Sequence, residues 1–235
     1  RGGGLCGRSV RMNERFPYVT IVIVVLTSLV SLAGFGSAAV LDRYVFDARR
    51  ILRGREYIRI LSSGFLHASA AHLLVNMFSL YSFGSPLEAE YGIAALLAIY
   101  FSAILGGNLL SLGLHRGESY RALGASGGVC GVVYAAIFLF PGGSVTVFPI
   151  PIPIPSYLYA VLFIFISFFG MRRRWGNIGH DAHLGGAIIG LVVTTALYPE
   201  IVPANLALWS IIMALSAILF AYLIRRRRAG EGRDA

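Results

Sequence analysis

The residues of this 235-residue chain that could carry out chemistry are one serine, three histidines and one asparagine, each in an otherwise apolar stretch. They are Ser126, His67, His72, His183 and Asn76. A serine within hydrogen-bond reach of a histidine base is the arrangement of nucleophilic catalysis, and further donors beside it can hold the oxyanion of an acyl-transfer intermediate. The residue types therefore suggest a single acyl-transfer site.

Ser126 stands in the sequence Gly124-Ala125-Ser126-Gly127-Gly128, which satisfies the G-x-S-x-G pattern of α/β-hydrolases. In those enzymes the serine follows a strand, whereas here it follows a polar loop and opens an apolar stretch, with no acidic residue until Asp181. This context excludes a soluble hydrolase. A serine at a helix N-terminus still offers its own amide as an unpaired donor, and His72 and Asn76, four residues apart on one helix face, could supply two more.

Each of these residues alone has a simpler interpretation: a serine at a helix start is usually a cap, and a glycine pair in a membrane helix usually serves packing. Metal binding is a further alternative, because His180-Asp181-Ala182-His183 carries ligand types at i, i+1 and i+3. The sequence has no second close His or Cys pair, and on a helix His67 and His72 would point about 140° apart. We expect no metal and no cofactor, and different roles for His67 and His72.

The elements that must position these side chains are membrane helices. The chain is 57% hydrophobic and only 13% charged, which excludes a soluble domain, a secreted disulfide scaffold and a coiled coil. Six stretches lack Asp, Glu, Lys and Arg, and the stretch 122–171 is long enough for two passes of a bilayer. The seven predicted spans begin and end near residues 16–36, 67–83, 94–112, 126–140, 156–171, 183–197 and 206–224.

Consecutive spans alternate in direction, so the starts of spans two, four and six share one membrane face. All five polar residues lie at or near those starts. Spans four and six each carry two glycines four residues apart, namely Gly127 with Gly131 and Gly186 with Gly190. Small residues at this spacing let membrane helices approach closely. Close approach would bring Ser126 within hydrogen-bond reach of His183, as a general base requires.

The connections and termini carry most of the charge. Residues 42–59 mix arginines with apolar side chains, which favours a loop lying in the membrane interface. The net charge of +9 is spread over such loops and termini, where lipid headgroups rather than nucleic acid are the expected partners. The alternating sequence FPIPIPIP at 148–155 predicts a short extended connection. Cys6 and Cys130 have no spacing that indicates a disulfide or a zinc site.

With these residues assembled, the chain resembles the rhomboid family of intramembrane serine proteases. Its sequence matches the family pattern at Gly124-Ala125-Ser126-Gly127, at His67-x4-His72-x3-Asn76, and at Ala182-His183-x2-Gly186-x3-Gly190. Arg59 matches the arginine of the loop after the first helix, and Glu88 matches an acid at the end of the second. The resemblance implies an all-α polytopic membrane protein, with a six-helix bundle over residues 17–198.

The resemblance further implies Ser126 as nucleophile, His183 as general base, and His72 with Asn76 and the Ser126 amide as the oxyanion hole. It implies single-pass membrane proteins as substrates, cut without metal or ATP, and structural roles for His67, Arg59 and Glu88. The chain departs from the family at two positions. Cys130 stands where some members carry an aromatic residue that stacks on the histidine, and Ile58 stands where a tryptophan is expected before Arg59.

Three regions follow from this interpretation: a basic N-terminal tail at 1–16, the protease core at 17–198, and a seventh transmembrane helix with an arginine-rich tail at 199–235. We expect a bacterial-type plasma or inner membrane and make no prediction of oligomeric state. The arginine distribution predicts a cytoplasmic active-site face, whereas the resemblance implies the outside. A non-catalytic rhomboid-like protein that binds transmembrane segments is the alternative function. A transporter is disfavoured because the far ends of spans two, four and six are apolar.

Overall fold

A computed structural model describes residues 16–146, 152–173 and 179–231 of the chain. The predicted basic tail at 1–16 lies almost wholly outside these ranges. In chain order the α-helices are α1 (Tyr18–Gly36), α2 (Ala38–Tyr44), α3 (Ala48–Gly54), α4 (Arg59–Ser62), α5 (Ala70–Tyr91), α6 (Ile93–Leu114), α7 (Ser126–Leu139), α8 (Ser156–Arg173), α9 (His180–Leu197), α10 (Ile201–Ala204) and α11 (Leu206–Glu231). A 3₁₀ turn spans Ser63–Phe65.

Seven of these helices are long, and they correspond to the seven predicted spans. Among the described residues, α1, α6, α9 and the stretch Leu206–Leu223 of α11 are long and apolar enough to cross a membrane by length and composition. The helix α7 and the first part of α8 are shorter apolar helices. The chain is an all-α polytopic membrane protein, as predicted.

Helix α7 lies at the centre of the bundle. Of its fourteen residues, only Ser126 and Cys130 are not buried. By contrast, α1 and α11 lie at the periphery and expose large apolar side chains such as Leu29 and Ile218. Lipid chains are as apolar as these side chains, so exposing a leucine to lipid carries no cost in free energy. The nucleophile candidate therefore starts the most enclosed helix of the fold.

The N-terminus of α1 is held by a side chain from another helix. Pro17, the residue before α1, provides no side-chain cap. Instead, the Glu88 carboxylate of α5 accepts hydrogen bonds from the backbone amides of Val19 (2.9 Å) and Thr20 (2.7 Å) and from the Thr20 hydroxyl (2.6 Å). A carboxylate there satisfies unpaired amides and interacts favourably with the helix dipole. Glu88 thus fastens the end of α5 to the start of α1.

The predicted end of the second span was wrong. Helix α5 does not stop before Gly84-Ser85-Pro86 but continues to Tyr91. Pro86 removes one backbone donor from the helix, yet Leu87 and Glu88, directly after it, are both buried. Membrane helices tolerate proline where neighbouring helices pack around it. The helix ends one turn later at Gly92, whose φ of +86° favours glycine.

Two pairs of short antiparallel strands lie in the connections between the helices. Strand β1 (Phe46–Asp47) pairs antiparallel with β2 (Arg121–Ala122), and so the connection after α1 contacts the connection that leads into α7. Strand β3 (Ser144–Thr146) pairs with β4 (Pro153–Pro155) between α7 and α8. The predicted extended segment at 148–155 is confirmed for Pro153–Pro155, and its residues 148–151 lie outside the described ranges.

Helix α11 packs against the outside of the core. The Trp209 indole donates to Thr195 Oγ1 of α9 at 3.0 Å, and the rings of Tyr222 and Phe168 of α8 lie 5.6 Å apart. At its start, Asn205 donates to the Phe138 carbonyl at the end of α7. These contacts attach the additional helix to α8 and α9.

Candidate active site

Ser126 and His183 are in direct contact. The Ser126 Oγ atom and the His183 Nε2 atom are 2.6 Å apart, within hydrogen-bond range. Ser126 is the first residue of α7, and His183 lies in the first turn of α9. When His183 Nδ1 carries the ring proton, the hydroxyl donates to Nε2. This is the geometry in which a histidine can take the proton of a nucleophile.

The dyad lines a small open cavity of about 100 Å³. His72 lies on its wall, against Gly124: a Cβ atom on Gly124 would come within 2.8 Å of the His72 ring. The φ of Gly124 is +139°, a conformation that a side chain would strain. The glycine is thus needed twice, for the turn that presents Ser126 and for the space that His72 occupies.

Asn76 lies one helical turn below His72. Its side chain is buried, and its Nδ2 atom donates to the His72 carbonyl at 2.9 Å. Among the described residues, Asn76 is not one of those that line the cavity. Of the two side chains predicted for the oxyanion hole, His72 therefore lines the cavity, whereas Asn76 contacts the backbone of His72.

Glycines form the seam between α7 and α9. A Cβ atom on Gly186 would overlap the Gly127 carbonyl, and one on Gly190 would overlap the backbone of Gly131. Only glycine allows these backbones to approach so closely. The four glycines named from the sequence therefore lie at the helix contact that brings Ser126 to His183.

A second seam, which the sequence analysis did not identify, joins α6 to α9. A Cβ atom on Gly107 would overlap the Ala182 carbonyl, and one on Gly185 would lie 2.9 Å from Gly107 Cα. Helix α9 consequently contacts α7 on one side and α6 on another, both times at glycines. The adjacent glycines 106 and 107 in the third span were the available signal.

Comparison with known families places the chain in one of them. Residues 54–200 match the model of the rhomboid domain, which is more than half of the chain. The chain belongs to the rhomboid family. The match includes Ser126, His183, His72 and Asn76.

Three curated proteins illustrate the similarity. Rhomboid protein 1, mitochondrial, of Saccharomyces cerevisiae is 29% identical over 69% of this chain and 49% of its own length. Rhomboid protease GluP of Bacillus subtilis is 27% identical over 77% of this chain and 34% of its own. Human presenilin-associated rhomboid-like protein, mitochondrial, is 32% identical over 58% and 37%. The chain spans about half or less of the length of these relatives.

The apolar helices support a multi-pass membrane protein. The expectation of a bacterial-type plasma membrane is not supported, because two of these three relatives are named as mitochondrial.

His67 fixes the loop in front of the nucleophile in this rhomboid. Its Nε2 atom accepts from the Ala125 amide at 3.3 Å, and its Nδ1 atom donates to Ser31 Oγ at 2.9 Å. The Ser31 hydroxyl in turn donates to the Phe65 carbonyl, so the hydrogen-bond network assigns the tautomer. His67 is buried, and its contacts are structural.

The predicted angular separation of His67 and His72 was wrong. Because α5 begins only at Ala70, His67 precedes the helix and the helical-wheel argument does not apply to it. The two rings lie edge to face with centroids 4.9 Å apart. They are nevertheless engaged differently, since His67 binds the loop backbone and His72 lines the cavity.

Arg59 is fully buried beneath the connection after α1. Its Nε atom donates to Glu56 Oε2 at 2.7 Å, and its Nη1 atom donates to the carbonyls of Asp42 (2.7 Å) and Val45 (2.8 Å). A buried guanidinium needs such partners. These bonds hold the connection that pairs, through β1, with the strand leading to Ser126.

Phe163 supplies an aromatic contact to the histidine. Its ring lies 6.4 Å from that of His183, with an angle of 27° between the planes. Phe163 belongs to α8, whereas the aromatic residue expected from the family would follow Ser126 on α7 at the position of Cys130. Nothing in the sequence distinguishes this phenylalanine from the other fourteen.

Asn108 and Ser63 form the polar floor of the cavity, and the sequence analysis did not name either. Asn108 Nδ2 donates to the Ile60 carbonyl at 2.6 Å and to Ser63 Oγ at 3.2 Å. The Ser63 carbonyl accepts from the Gly124 amide. A signal was available for Asn108, because a strongly polar residue inside an apolar span marks a functional site.

The metal alternative finds no geometric support. Across 16–146, 152–173 and 179–231, no three His, Cys, Asp or Glu side chains come together in a way that could hold a metal ion. Asp181 instead contacts Tyr120 and His115 on the opposite side of α9 from Ser126.

Proposed function

We propose that this rhomboid is an intramembrane serine endopeptidase that cleaves single-pass transmembrane proteins, with Ser126 as nucleophile and His183 as general base. The observation that carries the proposal is the 2.6 Å contact between Ser126 Oγ and His183 Nε2 at the wall of an open cavity. Support also comes from the Bacillus subtilis relative, which is named a protease.

In the proposed mechanism His183 takes the hydroxyl proton as Ser126 Oγ attacks the scissile carbonyl carbon. The carbonyl oxygen becomes an oxyanion, and the Ser126 amide at the N-terminus of α7 donates to it. His183 then returns the proton to the leaving nitrogen as the C–N bond breaks. Water, deprotonated by the same histidine, hydrolyses the resulting acyl-enzyme and regenerates Ser126.

His72 and Asn76 complete the proposed oxyanion hole. The His72 ring lies on the cavity wall, close to Gly124 and hence to the turn that presents Ser126. The Asn76 amide has two N–H donors, of which one is used by the His72 carbonyl. Asn76 does not line the cavity in this structure, and we assign its second N–H to an oxyanion that would form beside His72.

The substrate must reach Ser126 with an extended backbone, because the carbonyls of an intact helix are already hydrogen-bonded. We expect single-pass proteins whose transmembrane helix unwinds easily near the cleavage site. Phospholipid is the expected surrounding partner and nucleic acid is not, since the arginines lie in loops and termini of a membrane protein.

The decisive experiment compares the wild-type protein with Ser126→Ala and His183→Ala in detergent, using a model single-pass substrate. Both substitutions should abolish cleavage equally, because nucleophile and base act as a unit. Asn76→Ala should retain measurable cleavage, because one oxyanion donor is worth about 10²–10³-fold in rate. The matched control is Ser82→Ala, which changes an exposed serine of α5 and should leave the rate unchanged.

Cleavage by Ser126→Ala at the wild-type rate would refute the proposal. If all forms are inert while the wild-type protein binds the substrate, the chain is instead a rhomboid-like protein that binds transmembrane segments. A fluorophosphonate probe gives an independent measurement, since it should label wild-type Ser126 and not the His183→Ala protein.

A further inference from the structure

Asp181 is a buried carboxylate in the first turn of α9 that the proposed mechanism does not use. It is only 3% exposed. It lies two residues before His183, so the two side chains project about 160° apart around the helix. Asp181 therefore faces away from Ser126, towards the connection between α6 and α7.

Two residues of that connection engage the carboxylate. The Tyr120 hydroxyl donates to Asp181 Oδ1 at 2.9 Å, and His115 Nε2 lies 3.4 Å from Asp181 Oδ2. The rings of His115 and Tyr120 stack face to face, with centroids 3.6 Å apart and an angle of 2° between the planes. His115 Nδ1 lies 3.0 Å from Glu118 Oε2. We call Asp181, Tyr120, His115 and Glu118 the Asp181 cluster.

The cluster places one histidine between two carboxylates. Burial lowers the pKa of His115, but the nearby Asp181 and Glu118 carboxylates outweigh it, so the pKa is raised overall. Burial and the Asp181 charge raise the pKa of the Tyr120 hydroxyl, which stays protonated as a donor. The Asp181 carboxylate also lies in the first turn of α9, where negative charge is favourable.

The cluster joins the segment that presents the nucleophile to the helix that presents the base. Tyr120 is followed by strand β2 at Arg121–Ala122, by Gly124 and then by Ser126. The dyad itself is one contact between these two elements, and the Asp181 cluster is a second contact on the other side of α9.

We propose that Asp181 is a positioning residue that, held by Tyr120 and His115, sets the N-terminal turn of α9 so that His183 meets Ser126. This inference rests on the proposed protease function. None of the four cluster residues is among the described residues that line the cavity, so the effect of the cluster is on the geometry of the dyad.

The proposal has a consequence for pH. The groups that face His115 are Glu118 and Tyr120 from its own connection and Asp181 from α9. Because the pKa of His115 is raised by pairing, the ion pair is present at low pH and is lost as pH rises through that pKa. Activity should therefore fall on the alkaline side by a step that His115→Gln removes, since glutamine does not titrate.

The test uses the full chain carrying Asp181→Asn, which keeps the shape and the acceptor oxygen but removes the charge. We expect kcat to fall about tenfold with KM unchanged, as for the loss of one hydrogen bond to a charged group. Tyr120→Phe keeps the ring stack and removes only the hydroxyl, and it should give a similar loss. The control is Glu200→Gln, because Glu200 is an exposed carboxylate beyond the far end of α9.

A second measurement does not depend on proteolysis. Hydrogen exchange of the amides in the first turn of α9, such as that of His183 bonded to the Gly179 carbonyl, should accelerate in Asp181→Asn and Tyr120→Phe. The proposal would be overturned if both variants had the kcat, the pH profile and the amide exchange rates of the wild-type protein. If the Ser126→Ala protein cleaves normally, the proposed function fails, and the exchange rates still decide the role of the cluster.

Discussion

The most stringent test of the dyad geometry is the Gly186→Ala substitution, which adds a single methyl group. A Cβ atom there would lie 2.7 Å from the carbonyl carbon and 2.8 Å from the Cα of Gly127. Ordinary contact between carbon atoms is about 3.5–4.0 Å, so α7 and α9 must separate by roughly 1 Å. The 2.6 Å contact between Ser126 and His183 would lengthen to about 3.6 Å, which is beyond a hydrogen bond.

Displacement of this size costs about 10²-fold in rate even though no reacting group is altered. We therefore expect Gly186→Ala to insert and purify but to cleave the model substrate about 10²-fold more slowly. The control is Gly113→Ala in α6, where a Cβ atom meets nothing within 4 Å. Turnover should be measured at saturating substrate, so that the loss appears in kcat. Wild-type kcat for Gly186→Ala would refute the reasoning and remove the geometric support for His183 as base.

Two further predictions concern residues around the dyad. Phe163→Leu should lower kcat by about 2- to 10-fold with KM unchanged, because a ring contact of this kind is worth about 0.5–1.5 kcal/mol; an unchanged kcat would mean that the ring does not orient His183. Glu88→Gln should lower the unfolding temperature in detergent, because a hydrogen bond to a charged acceptor is stronger than one to a neutral acceptor by about 1 kcal/mol or more. The control is Glu200→Gln, which changes an exposed residue and should leave the unfolding temperature unchanged. Equal melting of both variants would contradict the role of Glu88 at the start of α1.

The sequence was most informative about where helices begin. Charged residues are excluded from the bilayer core, so the charge-free stretches located α7 and α9 to within a few residues. The glycine spacing then indicated which helices touch, and the structure brings Ser126 and His183 to 2.6 Å. Both inferences used rules that depend only on residue type and on spacing along the chain.

The sequence was less informative about how each helix is rotated about its axis and about helix ends that depart from local propensity. Phe163 lies in a uniformly apolar stretch, so no periodicity indicates which face of α8 meets His183. The second span was predicted to end near residue 83, but α5 continues past Pro86 because Leu87 and Glu88 are buried against other helices. His67 was assigned to a helix that starts three residues later.

The contact between Glu88 and the start of α1 bears on the order in which the protein is assembled. The carboxylate that caps Val19 and Thr20 lies 69 and 68 residues further along the chain, respectively. A ribosome makes the N-terminal residues first, so the first span emerges long before its capping group exists. During that interval its leading amides have only water or headgroups as partners. Helix α1 can therefore be locked in place only after nearly the whole of α5 has been made.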